Sequence, residues 1–326
     1  MNEGRKPATG RKRVWLSVLI SATLLAFMAW KTEIRLSVVQ EQFRRLDPVM
    51  LASVFSFSVI FHIFVGADKW WRILRALGAP VGYWEVFRVR LGSDPIRFTA
   101  PLKSGELVNA VYFAKLESFG FSRSAGSIVF DKSLNFFGEV FWLYVGIAAM
   151  AAIPSTGYLA LHTAIGVGVL SFICIRPVRH AAMTLAGRIH HRLGKLASGV
   201  LSAFEEFSLL QKVGFLFYGV VFQLRPLVVC WLVFMAFETR GVPSLPEFIA
   251  LGSAVVLMSN MPSLGGIGPR EATLMAMFSN FADPATLLSV GVLMSLAVQV
   301  CPAIVGLPFM FPLLRELTTD TGRAAQ

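Results

Sequence analysis

The chain has 326 residues, of which 55% are hydrophobic and 15% charged, with a formal net charge of +11 and a mean hydropathy of +0.65. This apolar content is too high for a soluble globular protein, so the composition indicates an integral membrane protein. The positive charge does not indicate nucleic acid, because the Lys and Arg residues lie between apolar segments, where anionic lipid and membrane topology account for them. The three cysteines, Cys174, Cys230 and Cys301, lie far apart inside apolar runs. We therefore expect neither a disulfide nor a metal site, and no other cofactor.

Six apolar segments are long enough to cross a bilayer, which takes about 17 to 25 helical residues. The first begins after a basic tail, residues 1–13, and no A-x-A cleavage site follows it, so it is predicted to be an uncleaved span and not a signal peptide. The six predicted spans, in chain order, are 14–30, 49–67, 133–153, 156–175, 213–237 and 285–311.

The distribution of positive residues predicts the orientation. With the N-terminus in the cytoplasm, 18 of the 30 Lys and Arg residues fall on the cytoplasmic side and five on the outer side, and seven lie in or beside membrane segments. Both termini are then cytoplasmic. Residues 176–212 form the longest cytoplasmic segment, and their helical pattern of apolar and basic positions predicts an amphipathic segment on the lipid surface.

A break interrupts the apolar sequence at residues 261–281. Gly265, Gly266 and Gly268 end any incoming helix, and Arg270 and Glu271 open the helix that follows. In lipid, such a break is tolerated only where the backbone is buried in protein or lines a wet cavity. We therefore expect free amides at the glycines and the start of the helix to bind an anion, with Arg270 as a cationic clamp that Glu271 orients.

A similar element occurs between the second and third spans. It contains Lys103, Ser104, Gly105 and Glu106, and it follows Pro101. Pro101 and Pro262 are 161 residues apart, as are Gly105 and Gly266. Because the topology makes these two elements enter from opposite faces, the sequence predicts an inverted repeat.

The predicted architecture is an all-α integral membrane protein with about six full transmembrane helices plus two re-entrant broken-helix elements. The whole chain, 1–326, is predicted to be one polytopic domain. Within it, repeat one covers about 49–153 and repeat two about 213–312.

Charged residues within the predicted spans are further candidates for a binding site. Arg225 precedes Pro226 inside the fifth span, where an arginine costs about 2.5–3.5 kcal/mol on insertion scales, so we expect it to face a cavity or a carboxylate. Glu139 in the third span is the first candidate partner, and Asp131, Glu106 and Glu271 are others.

The chain resembles the flippase-like membrane domain that precedes the soluble domain of lysylphosphatidylglycerol synthases and also occurs alone in bacteria and archaea. The matching elements are Pro101 to Glu106, the pair Asp131–Lys132, and Gly265 to Glu271. The pair departs from the family pattern, in which Arg often follows the acidic residue. The resemblance implies a lipid translocator in the bacterial cytoplasmic (inner) membrane, with a phospholipid, isoprenoid or related lipid as its partner.

Other functions are less well supported by the residues. His62 and His162 each stand alone in an apolar run, so they are predicted to be core or interfacial residues and not part of a Ser–His–Asp arrangement. No Walker A pattern is present, and we do not expect an enzyme. A membrane-embedded enzyme acting on a lipid headgroup and a small-anion channel stay open as alternatives, and so does a homo-oligomer.

Overall fold

The computed structural model describes residues 36–99, 105–116, 119–150, 156–261 and 266–323, together with residues 19 and 23. Within these residues the chain is helical and has no strand. The predicted first span, apart from residues 19 and 23, lies outside them. The helices are α1 (Leu36–Arg45), α2 (Pro48–Ala76), α3 (Tyr83–Thr99), α4 (Leu107–Ala114), α5 (Gly120–Ala149), α6 (Thr156–Cys174), α7 (Arg176–Ile189), α8 (His191–Ser202), α9 (Leu209–Met235), α10 (Leu245–Met258), α11 (Pro269–Met277), α12 (Pro284–Ser295) and α13 (Cys301–Arg323).

Three helical stretches in the described residues are long and apolar enough to cross a membrane. They are Pro48–Ala76, Leu209–Met235 and Pro284–Leu317, and a bent pair, Thr163–Cys174 with Arg176–Ile189, gives a fourth if it counts as one span. For the described residues, these helices confirm the prediction of an all-α membrane protein. The number of six spans and the inverted repeat stay predictions.

The last of these stretches changes its helical winding near its middle. Leu296–Val300 forms a π-helical segment between α12 and α13. Single π turns inside α-helices are frequently found at functional sites, and this one borders the cavity described below.

The α3 and α4 helices form a hairpin whose two ends lie at the same end of α13. Near the start of α3, Arg88 approaches the Glu316 carboxylate at 3.3 Å. At the end of α4, Tyr112 donates its hydroxyl to the same carboxylate at 3.1 Å, and Lys115 donates to the Glu316 carbonyl oxygen at 3.0 Å. Thr99 at the end of α3 and Gly105 just before α4 therefore lie at the opposite end, which is the tip of the hairpin.

The α10 and α11 helices form a second hairpin. The ring of Phe248, at the start of α10, lies 5.8 Å from the ring of Phe278, which directly follows α11. Beyond that, the Phe281 carbonyl oxygen accepts a hydrogen bond at 2.7 Å from the backbone N–H of Arg240, which follows α9. The base of this hairpin therefore lies near the C-terminal end of α9, and its tip includes Ser259 and Asn260 after α10 and Gly266 to Gly268 before α11.

The apolar core is divided into two large clusters. One contains Trp70, Phe130 and Phe215, and the other contains Val54, Val229 and many residues of α12. Both α2 and α9 contribute to the two clusters at different heights, and between them along these helices lie the buried polar residues Ser58, His62, Gln223 and Arg225. This division leaves room for a polar site near the middle of the spans.

The segment after α6 turns sharply. The bend between α6 and α7 is 93°, and Arg179 is buried there, donating to the carbonyl oxygens of Phe172 and Ile173 at 3.0 and 2.9 Å. A cation at the C-terminal end of a helix satisfies carbonyls that have no intrahelical donor. The predicted amphipathic segment is thus two helices, α7 and α8, separated at His190. Its location on the lipid surface stays a prediction.

Candidate functional site

A cavity of about 330 Å³ lies between the tips of the two hairpins. It is bordered by the middle parts of α2, α5 and α9 and by Val298 and Gln299 of the π-helical segment. Apart from His62, its charged lining residues are four cations and three carboxylates, so one positive charge is in excess. These residues are Arg90, Arg97, Lys132, Arg225, Asp94, Glu106 and Glu139.

The tip of the first hairpin carries a chain of ion pairs. An Nη2 atom of Arg97 lies 2.6 Å from Asp94 Oδ1, and its Nη1 lies 3.6 Å from Glu106 Oε1. The Glu106 carboxylate also lies 2.5 Å from Lys132 Nζ on α5. Asp94 in turn lies 3.0 Å from His62 Nε2 on α2. His62 is buried, as predicted for a core residue, but it does not stand alone, because a carboxylate from another helix reaches it.

Gly105 allows this tip to close tightly. A Cβ atom at this position would lie 2.5 Å from the backbone nitrogen of Arg97, so only glycine permits the approach. The close contact sets Glu106 beside Arg97 and across from Lys132. The structure thus gives Gly105 a packing role at the cavity wall.

A second buried pair lies behind the cavity. Lys69 Nζ is 2.9 Å from Asp131 Oδ1, and it also donates a short hydrogen bond to Asn135. The neighbours Asp131 and Lys132 therefore pair with two different helices and not as one unit. Asp131 does not line the main cavity, although it borders an adjoining space of about 20 Å³, which is room for about one water.

Three cations surround the ring of Phe222 on α9. Lys69 Nζ lies 4.4 Å from the ring centroid, and the guanidinium carbons of Arg225 and Arg90 lie at 5.7 and 5.9 Å. The negative face of an aromatic ring attracts cations at such distances. This ring therefore holds two of the cavity's arginines near each other without neutralising them.

Arg225 is 6% exposed and faces the cavity, as the sequence predicted. Its Nη1 lies 3.5 Å from the carbonyl oxygen of Ser58, and its buried Nε has no hydrogen-bond partner. Among the residues that the structure describes, no carboxylate lies within ion-pair distance of it. Glu139, its first predicted partner, lines the same cavity but accepts a hydrogen bond at 2.6 Å from Asn260.

The tip of the second hairpin supplies the opposite wall. Ser259 and Asn260, which follow α10, line the cavity. Gly266 has φ +80° and would bring a Cβ atom to 2.5 Å from the Ser259 carbonyl oxygen, so the turn behind this wall requires glycine. Gly268 has φ +103°, which also favours glycine.

Arg270 and Glu271 lie outside this cavity and are closed on each other. Their side chains are 2% and 0% exposed, and Arg270 Nη2 lies 2.9 Å from Glu271 Oε1. Arg270 also contacts the Ser295 hydroxyl of α12. The expectation of a free amide at Gly268 is wrong, because its N–H donates to Glu271 Oε2 at 2.6 Å. The anion at the start of α11 is therefore the protein's own carboxylate.

The structure thus separates the predicted site residues into three groups. Glu106, Glu139 and Arg225 line one cavity, with Gly105 directly behind it. Asp131 lies one layer further back, and Gly266, Gly268, Arg270 and Glu271 form a separate buried turn. The remaining candidates, Lys103, Ser104 and Gly265, lie outside the described residues.

Four titratable lining residues were not predicted from the sequence: His62, Arg90, Asp94 and Arg97. The signal for three of them was present, since positions 90, 94 and 97 share one face of a helix at i, i+4 and i+7 spacing. His62 has the weaker signal of a polar residue in the middle of an apolar span.

Residues 14–306 match the family described as the lysylphosphatidylglycerol synthase TM region. The chain belongs to this family. The match includes every lining residue of the cavity and confirms the resemblance read from the motifs. It also connects the chain with membrane lipids. No curated protein and no solved structure matches the chain.

Proposed function

We propose that this protein moves a lipid with a phosphate-containing headgroup across the membrane, and that the headgroup passes through the cavity between the hairpin tips. The lipid is a phospholipid, an isoprenoid phosphate or a related molecule. The observation that carries the proposal is Arg225, which is buried, faces a cavity in the middle of a span, and has no carboxylate partner among the described residues.

The charge balance of the cavity supports an anionic ligand. A buried charge is costly unless it is paired, and the lining residues contain one cation more than carboxylates. A phosphodiester, with one negative charge, would neutralise this excess. The guanidinium fork of arginine suits phosphate because two of its N–H groups can bind two oxygens at once.

The other charged groups divide into two roles. Arg97 and Lys132 are held by Asp94 and Glu106, so they add positive potential and fix the shape of the wall. Gln223, Asn260 and Glu139 present amides and a carboxylate to the cavity, where they would contact the polar part of a headgroup.

The two hairpins provide the route. We propose that both are re-entrant elements, related as an inverted repeat, and that they enter from opposite faces of the cytoplasmic membrane. Their tips border one cavity, as expected when discontinuous helices build a transport site near the membrane midplane. Backbone without helical hydrogen bonds is tolerated at such a place because it borders a polar space.

The Arg270–Glu271 pair fits a supporting role in this proposal. To bind a phosphate, Arg270 would have to leave both Glu271 and Ser295, and it has no opening to the cavity in this conformation. Through Ser295 it ties the start of α11 to the last residue of α12, which directly precedes the π-helical segment that lines the cavity.

The test is movement of fluorescent phosphatidylglycerol between the leaflets of proteoliposomes. Arg225→Ala should reduce the rate to that of protein-free vesicles, whereas Arg45→Ala, which alters an exposed pair with Glu41, should not. A parent-like rate for Arg225→Ala at equal reconstitution would refute the proposal. Ionic current without lipid movement would favour the channel alternative, and a change in the mass of the lipid would favour the enzyme.

A further inference from the structure

We infer that a groove between α5 and α6 holds a hydrocarbon chain of the lipid whose headgroup occupies the charged cavity. This inference rests on the proposed function and deepens it, because it assigns a place to the part of the substrate that the polar cavity cannot hold. The groove has a volume of about 530 Å³.

The walls of the groove are almost entirely apolar. The large apolar residues of the walls are Ile128, Val129 and Phe136 from α5 and Ile165, Val169 and Phe172 from α6. Val129, Phe136 and Ile165 are between 36% and 38% exposed. Large apolar side chains that are exposed together on a membrane protein are suited to lipid contact.

The polar groups at the groove already have partners. The Ser133 hydroxyl donates to the carbonyl oxygen of Val129 at 2.9 Å within its own helix. The Lys132 ammonium lies 2.5 Å from Glu106, so mainly its aliphatic stem is available to the groove. The described walls therefore favour a hydrocarbon over a polar ligand.

The groove and the charged cavity lie side by side. Lys132 and Phe136 line both of them, so the ammonium of Lys132 is directed to the charged side while the Phe136 ring separates the two spaces. A phospholipid or prenyl phosphate has the same order, with a charged group joined directly to an apolar chain. This shared border identifies the occupant as the tail of the same molecule.

Gly168 of α6 gives a direct way to test the inference. It lines the groove, and a Cβ atom added to it would meet nothing within 4 Å. Gly168→Phe should therefore fill the groove without displacing neighbouring residues. Gly214 on α9 has equally open surroundings and is exposed, so Gly214→Phe is the matched control.

The experiment measures binding of dipalmitoyl and dihexanoyl phosphatidylglycerol to the full-length protein by native mass spectrometry. We expect the parent to bind the long-chain lipid more tightly. Gly168→Phe should weaken long-chain binding by about tenfold, the equivalent of roughly two buried methylenes, and leave short-chain binding unchanged. Gly214→Phe should change neither.

The outcomes separate this inference from the proposed function. Arg225→Ala should weaken both lipids, and its failure to do so would contradict the headgroup site whatever the groove variant does. Unchanged long-chain binding by Gly168→Phe would refute the groove. The groove would also be refuted if the parent were a dimer that Gly168→Phe converts to a monomer, since a second copy of the chain would then be its occupant.

Discussion

The hydroxyl of Ser58 donates a hydrogen bond to the main-chain carbonyl oxygen of Ala297 at 2.8 Å. The bond joins the middle of α2 to the π-helical segment. Within that segment the N–H of Cys301 bonds to the Leu296 carbonyl oxygen, and the next residue, Pro302, has no N–H. The two backbone donors nearest in sequence are therefore unavailable to Ala297, and a side chain from another span replaces them.

Ser58→Ala should lower the free energy of unfolding by about 1–3 kcal/mol, because it leaves a buried carbonyl without a donor. SDS-induced unfolding in detergent micelles measures this. Pro302→Ala restores a backbone N–H, so the double variant should recover part of the loss. Ser53→Ala removes a hydroxyl that bonds within its own helix at an exposed position, and it should change stability by less than about 0.5 kcal/mol. Equal effects of Ser58→Ala and Ser53→Ala would contradict the role of the Ala297 bond.

Arg225→Met should retain or increase the stability of the protein while it abolishes lipid movement. The reason is that the substitution removes a buried charge that has no carboxylate partner among the described residues. No buried carboxylate therefore loses its counter-ion. Arg97→Met, by contrast, leaves Asp94 and Glu106 without this partner and should cost about 3–5 kcal/mol. Thermal unfolding of both variants, with lipid movement measured alongside, distinguishes them. A large loss of stability in Arg225→Met would mean that the arginine serves mainly to hold the fold.

Arg270→Met should lower stability by about 3–5 kcal/mol, because Glu271 is then a buried carboxylate without its cation. The rate of lipid movement per correctly folded molecule should stay near that of the parent. Size-exclusion recovery after heating measures the first effect, and proteoliposomes containing only the recovered monodisperse fraction measure the second. A stable but inactive Arg270→Met protein would contradict this prediction and would support the sequence-based hypothesis that Arg270 binds the phosphate.

Gly105→Ala should destabilise the first hairpin, since the added Cβ atom would lie 2.5 Å from the Arg97 backbone nitrogen. Overpacking of this kind typically costs about 1–3 kcal/mol. Gly82→Ala is the control, because a Cβ atom there meets nothing within 4 Å. Equal thermal stability of the two variants would show that the backbone around Gly105 and Arg97 has room for an added Cβ atom. A shift in Gly105→Ala alone confirms the close contact.

The sequence predicted those features that depend on local pattern. The apolar runs gave the positions of α2, α9 and the α12–α13 stretch, and the glycine pattern located both breaks. The family resemblance followed from the same motifs. Arg225 was also recognisable, since an arginine beside a proline within a span needs a polar environment.

The pairing of charges could not be predicted in the same way. Glu106 pairs with Lys132, and Asp131 with Lys69, through contacts between helices that are distant in the chain. The attraction of the start of α11 for an anion was visible in the sequence, but the neighbouring Glu271 satisfies it. Sequence neighbours such as Asp131 and Lys132 suggest a pair, whereas successive residues of a helix point in different directions.

The two hairpins close the cavity with different chemistry. The first tip is fastened to α5 by opposite charges, with Lys132 on Glu106, whereas the neutral amide of Asn260 joins the second tip to the carboxylate of Glu139 on α5. Withdrawing the first tip must separate ions in a medium of low dielectric constant, which costs more than exchanging an amide contact for water. The two gates of a transport cycle would then open at unequal rates, and the slower one would be the gate that holds Glu106.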